Sequence, residues 1–438
     1  MKRLIALLCM GLAMLLSGPA WGDGGEGEAE SFKDALRAMQ QRIKDLENEV
    51  NRLKSTQPQP VAAAPAVPEG WEDRIRKLEA GYSLLNGIKF GGMIYGSYNY
   101  NLNNPDSKNN TLDLFDTRAN NFTLDLAQLS VSKEEEGGVG FKILLDYGHT
   151  AALIQSDWTG DGTFSNGTSN FALQEAYITY TAGIGKGLGL KAGKFVTLLG
   201  AEVIESPFNY NISRSFLFGY AIPFTNTGAL LSYPIIDKVG LTAGIVNGWD
   251  NVIDSNKGKT FMGGLTLTPL DWLTWAFNGV YGPEQPNTNS SDRGVFDTVL
   301  TVKPMDNLAL VLNYDYGSET NILPNDKLAV WQGIAGYINL GGALFHPDWD
   351  RFSFTQRAEW FSDTNGVRTG TPQDLWELTS TFKWMLTEHL HARFEYRHDE
   401  SSKKVFSQKI TPIGPDETFT RFLRGQDIFI AELAYLFY

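Results

Sequence analysis

The last thirteen residues, Gln426 to Tyr438, constrain the fold more than any other stretch of this 438-residue chain. Phe429, Ala431, Leu433, Tyr435 and Phe437 fall on one face of a strand, and the chain stops on a further aromatic, Tyr438, in phase with Glu432 and Ala434 on the other. A strand that crosses a bilayer needs roughly nine to eleven tilted residues with one face turned to lipid. A bare apolar edge of that length invites aggregation in water, whereas closure into a barrel removes the edge altogether.

The remaining strands are legible by period-two alternation and their bounding turns. They fall near 88–100, 121–132, 138–148, 170–181, 187–196, 227–234, 239–249, 259–268, 273–282, 294–303, 308–317, 327–340, 351–362, 374–385, 390–399 and 425–438. This predicts an all-β transmembrane antiparallel barrel of about sixteen strands, a size that leaves an aqueous channel. The connections alternate. Short turns such as 234–238, 269–272, 304–307 and 386–389 exchange with long polar loops at 101–120, 149–169, 283–293 and 400–422. An outer-membrane barrel has this rhythm, with turns in the periplasm and loops outside. The faces agree with it. Val139, Phe141, Ile143, Leu145 and Tyr147 oppose Lys142 and Asp146, while Leu390, Ala392, Phe394 and Tyr396 oppose His391, Arg393, Glu395 and Arg397.

The N-terminal region reads differently. Lys2 and Arg3, an apolar core from Leu4 to Ser17, and small residues to Gly22 form a secretory signal peptide over 1–22. The only cysteine, Cys9, lies within it, so the exported chain relies on pairing and packing instead of disulfides. Over 23–56 the apolar residues Phe32, Leu36, Met39, Ile43, Leu46, Val50 and Leu53 alternate steps of four and three. That seam predicts a periplasmic coiled-coil helix, or else a single amphipathic helix on another surface. A Pro/Ala linker at 57–70 and a short helix at 71–87 lead into the barrel at 88–438. The net charge of −13, or −15 after loss of Lys2 and Arg3, excludes the basic footprint of a nucleic-acid binder.

Sixteen strands enclose more space than their own side chains fill, so function resides in the lumen. Lys142, Lys191, Arg357, Lys383, Arg393 and Arg397 point inward against Asp146, Glu175, Asp315, Glu359, Glu377 and Glu395, which leaves no clear ion preference. The connection 197–226 is unusual, because Leu198, Leu199, Phe208, Phe216, Leu217, Phe218, Ile222 and Phe224 are too apolar for a loop left in water. Folded into the barrel it narrows the channel and makes Glu202, Glu205 and Arg214 constriction charges. Packing outside against other loops or a second subunit would cover it equally. Asp157 to Gly162 resembles the start of a calcium loop but lacks the acidic closing ligand, since Thr168 stands there. No cofactor, metal or catalytic set is expected, and no enzyme activity.

Gly193-Lys-Phe195, Gly200-Ala-Glu202, Ser206-Pro-Phe-Asn209, Ser213-Arg-Ser215 and Pro223 to Gly228 resemble the β-barrel porin-2 (OmpL-like) family. The resemblance spans about residues 88–438 and implies passive diffusion of small hydrophilic solutes or ions. With it come the expected partners: outer-membrane lipid and lipopolysaccharide, the barrel assembly machinery, and two further copies in a homotrimer. The rival expectation is structural, a barrel that anchors the envelope to peptidoglycan through the N-terminal helix.

Overall fold

In the computed structural model the described residues are 41, 42, 44, 45, 48, 52, 87–134, 138–156, 169–324, 327–410 and 419–437. Residues 1–84 and 85–438 form separate units. Gln41, Arg42, Lys44, Asp45, Asn48 and Arg52 are helical and exposed. The rest of the expected coiled coil, the signal peptide, the linker, the calcium-like loop and Tyr438 lie outside the described residues.

The second unit is a closed antiparallel barrel. Its first eight strands are β1 (Ile88–Asn101), β2 (Asn121–Lys133), β3 (Val139–Tyr147), β4 (Phe171–Ala182), β5 (Leu188–Val196), β6 (Thr225–Ile236), β7 (Val239–Val246) and β8 (Thr260–Leu270). The remainder are β9 (Leu273–Pro283), β10 (Asp292–Met305), β11 (Leu308–Glu319), β12 (Ala329–Gly341), β13 (Phe352–Asp363), β14 (Gln373–Met385), β15 (Leu390–Ser401) and β18 (Gly425–Phe437). The final strand closes the ring against β1 in a continuous register from Gly92–Phe437 to Asn101–Ile428. The row read from the sequence faces outward, with Phe429, Leu433 and Tyr435 about half exposed and Ile428, Ile430, Ala434 and Leu436 buried.

Two aromatic girdles mark the membrane boundaries. Tyr100, Tyr147, Phe171, Tyr281, Tyr316 and Trp376 are exposed at the loop-side ends of their strands, and Trp272, Trp384 and Tyr435 toward the turn side. Among the described residues no helix is long and apolar enough to cross a membrane.

Three features depart from the sequence reading. The loop expected at 400–422 contains its own hairpin, β16 (Phe406–Ile410) paired with β17 (Phe419–Leu423) outside the barrel ring. The turn-side connection 342–351 is no shorter than the loop-side connection 364–372, so the alternation of lengths is not strict. It holds two 3-10 turns, Gly342–Leu344 and Pro347–Trp349, instead of a tight reversal. The third is the loop 102–120, which turns inward and buries Asn110, Asp113, Phe115, Asp116 and Ala119.

The outward row predicts a depth-dependent penalty. Leu312 lies mid-strand on β11 beside Leu300 and Gly336, facing out. Leu312→Arg is expected to cost about 2–4 kcal/mol of barrel stability, the penalty for a cation on the lipid face near the midplane. Urea titration of the lipid-refolded protein, followed by its unboiled gel mobility, measures it. A loss below about 0.5 kcal/mol would contradict a lipid-facing position there.

Candidate functional site: the lumen and its inserted loop

After β5 the chain leaves the wall and folds into the lumen from Thr197 to Phe224. Gly200 makes the entry turn at φ 90°, where a Cβ would lie 2.6 Å from Ile222 Cδ1. A 3-10 turn at Ser206–Phe208 and a π-helical turn at Leu217–Ala221 shape the rest. Leu199, Ile204, Phe216, Leu217, Phe218, Ala221 and Ile222 are buried against inward residues of the wall, among them Trp331, Ala335, Phe361 and Leu375. Of the two placements open from the sequence, this is the inner one.

A backbone without strand partners needs acceptors for its N–H groups and donors for its carbonyls. The wall supplies both through charges. Glu395 accepts from the N–H groups of Ile212 (2.6 Å) and Ser213 (2.9 Å), and Glu359 from those of Phe216 (2.7 Å) and Leu217 (2.6 Å). Arg393 donates to the carbonyls of Asn209 (3.1 Å) and Asn211 (3.2 Å), Arg357 to Ser213 (2.7 Å), and Arg397 to Arg214 (2.7 Å). The same arginines pair with carboxylates: Arg393 with Glu432 at 2.6 Å, Arg357 with Glu202 at 2.7 Å, and Arg397 with Asp399 at 2.7 Å and Asp113 at 3.2 Å. These groups are all buried.

The predicted site residues therefore divide. Arg357, Glu359, Arg393, Glu395 and Arg397 converge on β13–β15 and grip the loop. Glu202 belongs with them, since besides Arg357 it accepts from the N–H and hydroxyl of Ser215 at 2.8 and 2.9 Å. Arg214 donates to the carbonyls of Ile212 and Ile204 and lies over the Phe115 ring at 4.6 Å. Toward β2–β4 the loop's Glu205 accepts from Gln128 (2.9 Å) and Gln174 (2.7 Å), Asp146 accepts from Gln128 (3.0 Å), and Lys142 pairs with Glu175 at 2.6 Å. A bulge in β4 shifts its register against Leu144 and Leu145 and aims both Gln174 and Glu175 inward.

Sequence reasoning missed several members. Glu432 was visible on the inward phase of the last strand. Trp331 was likewise legible on the inward phase of β12, whereas Asp113, Asp116, Asp250 and Arg368 carried no such signal, because loop residues have no fixed phase. Trp331 donates to the Ala221 carbonyl at 3.1 Å, Arg368 to that of Tyr220 at 2.6 Å, and Asp250 accepts from the N–H of Phe224 at 2.9 Å. The loop 102–120 braces the assembly, with Phe115 against Phe218 and Phe224 at ring separations of 5.7 and 5.4 Å.

Two cavities that border the insertion are larger than a third, of about 190 Å³, beside Glu202, Phe208 and Tyr337. One of about 750 Å³ opens toward the turn side, with Lys142, Glu175, Glu205, Phe208, Phe218 and Phe224 in its lining. The other, of about 370 Å³, lies on the loop side behind Phe224, Trp249, Arg293 and Arg368. Phe224 lines both. No group of side chains among the described residues would hold a metal ion.

A closed sixteen-strand membrane barrel with a loop folded into its lumen has the architecture of a porin. The family described as "Putative beta-barrel porin-2, OmpL-like" matches residues 87–437, and the chain belongs to it. No curated relative matches in sequence. Among solved structures, OprB of Pseudomonas putida at high pH is similar at 12% identity and TM-score 0.53, over 84% of this chain and 97% of that one. The anion-selective porin from Comamonas acidovorans is similar at 8% identity and TM-score 0.51, over 80% and 99%. OmpT of Vibrio cholerae lacking loop L8 is similar at 9% identity and TM-score 0.51, over 80% and 98%. At these identities the likeness is one of fold.

Asp116 gives this site a pH dependence. Burial pushes its carboxyl up to about 7, against the opposing pull of Arg214. An acid whose folded pKa lies above its unfolded value of 3.8 keeps an extra proton in the native state between those limits. Stability therefore falls as pH rises from about 4 to about 7. Amide protection across 110–119, after correction for the intrinsic pH dependence of exchange, is expected to fall over that window in the wild type and to lose the dependence in Asp116→Asn. An identical pH profile in both would contradict the assignment.

Proposed function

We propose that the chain is a general outer-membrane porin, carrying small hydrophilic solutes or ions by passive diffusion past a loop-formed constriction, with no catalytic step. The observation behind this reading is the pair of cavities that meet at Phe224 on either side of the inserted loop. A loop held this way narrows a lumen without filling it. The charged groups that grip the loop are engaged with its backbone, so permeation is governed by the groups left facing the cavities. Those are Lys142 and Glu205 on the turn side and the arginines on the loop side.

In the same reading the long loops face outward and the termini lie in the periplasm, as in other barrels of this type. The heptads at 32–53 support a homotrimer joined through an N-terminal coiled coil.

Purified protein whose unboiled gel mobility reports a folded barrel is expected to insert into planar bilayers and give discrete steps in potassium chloride. Deletion of 31–86 is expected to leave the step size per pore unchanged and to weaken the oligomer. Folded protein that inserts without conducting would overturn the porin reading.

A further inference from the structure

The loop-side cavity holds a cluster that gripping the loop does not account for. Trp249 carries two guanidinium groups against its ring, Arg293 at 4.9 Å and Arg368 at 4.8 Å from the centroid. The two carboxylates in the cavity lining, Asp250 and Glu284, each accept two hydrogen bonds from the protein. Asp250 accepts from the N–H groups of Phe224 and Thr225 at 2.9 and 2.8 Å. Glu284 accepts from the Trp249 N–H at 2.7 Å and from the Thr260 hydroxyl at 2.6 Å.

The arginines are committed only in part. Arg293 uses Nε on Glu319 at 2.8 Å, and Arg368 uses Nε on the Tyr220 carbonyl at 2.6 Å. Their terminal nitrogens have no hydrogen-bond acceptor among the described residues, although both side chains line one cavity of about 370 Å³. Two like charges held together in a concave site repel each other, and an anion between them relieves that. Burial, helped by neighbouring Arg293, brings Arg368 down to about 10 against the opposing pull of Glu319, Asp250 and Asp363. A planar guanidinium fork matches a carboxylate bidentately, while Trp249, Phe224 and Leu153 offer apolar walls beside it.

We propose that this cavity is a binding site for small organic carboxylates with an apolar body, held by the free ends of Arg293 and Arg368 against Trp249. The site rests on the porin reading only for its role, which is to load such solutes above the constriction.

Benzoate is the probe, with benzyl alcohol and benzylamine as neutral and cationic analogues of its shape. Calorimetry on the full-length protein in detergent is expected to show binding of benzoate alone. In bilayers, benzoate added on the loop side is expected to interrupt the chloride current. Arg368→Gln is expected to weaken both effects at least tenfold, and Arg368→Lys to retain part of them, with unboiled gel mobility showing that each variant is folded. Equal binding of benzoate and benzyl alcohol, or full benzoate binding by a folded Arg368→Gln, would overturn the site. Normal conductance without any benzoate effect sinks the site and spares the porin, whereas benzoate binding without conductance does the reverse.

Discussion

The structure depends on the capture of a loop backbone by charged side chains of the barrel wall. Nearly every strand residue finds its hydrogen-bond partners in the neighbouring strand, but the segment from Asn209 to Leu217 has no neighbour to pair with. Glu395 and Glu359 act as fixed acceptors for its N–H groups, and Arg393, Arg357 and Arg397 as fixed donors to its carbonyls. Hydrogen bonds to charged groups contribute about 1.5–3 kcal/mol each, and a buried group left unpaired costs a comparable amount. The cost of burying the charges is offset because each arginine also meets a carboxylate. Removing one member exposes the others to that cost, so the cluster acts as a unit.

This capture separates two tasks within one lumen. The wall formed by β13, β14, β15 and β18 uses its charge to hold the loop. The cavities, by contrast, are bordered by side chains that keep free polar atoms or apolar faces. Counting inward acids and bases therefore says little about which solute the pore prefers, since Arg357, Glu359, Arg393, Glu395 and Arg397 face the loop backbone and not the water.

The barrel was legible because its signal is local. Alternation along Leu390 to Arg397 requires only that one face meet lipid, and register follows once the faces are set. The inward placement of Arg357, Glu359, Arg393, Glu395 and Arg397 came with it. Their work did not, because it depends on the backbone of Ile212, Ser213 and Phe216, more than a hundred residues away in sequence. Backbone donors and acceptors leave no mark in a sequence. The apolar run from Phe216 to Phe224 showed that the loop must be covered but not by which surface. The loop 102–120 was misread for the opposite reason. Its polar residues are satisfied inside, as where Asn110 accepts from Asn101 and donates to the Asp116 carbonyl, so polarity was no guide to exposure.

Amide exchange at Ile212, Ser213, Phe216 and Leu217, in the wild type and in the Glu359→Ala/Glu395→Ala variant, tests this account most directly. It predicts that the four amides exchange slowly in the wild type and about 10–100-fold faster in the variant, matching a buried hydrogen bond of 1–3 kcal/mol, while amides of β13 and β15 stay protected. Fast exchange at those four positions in the wild type, at the rate of an open loop, would contradict it.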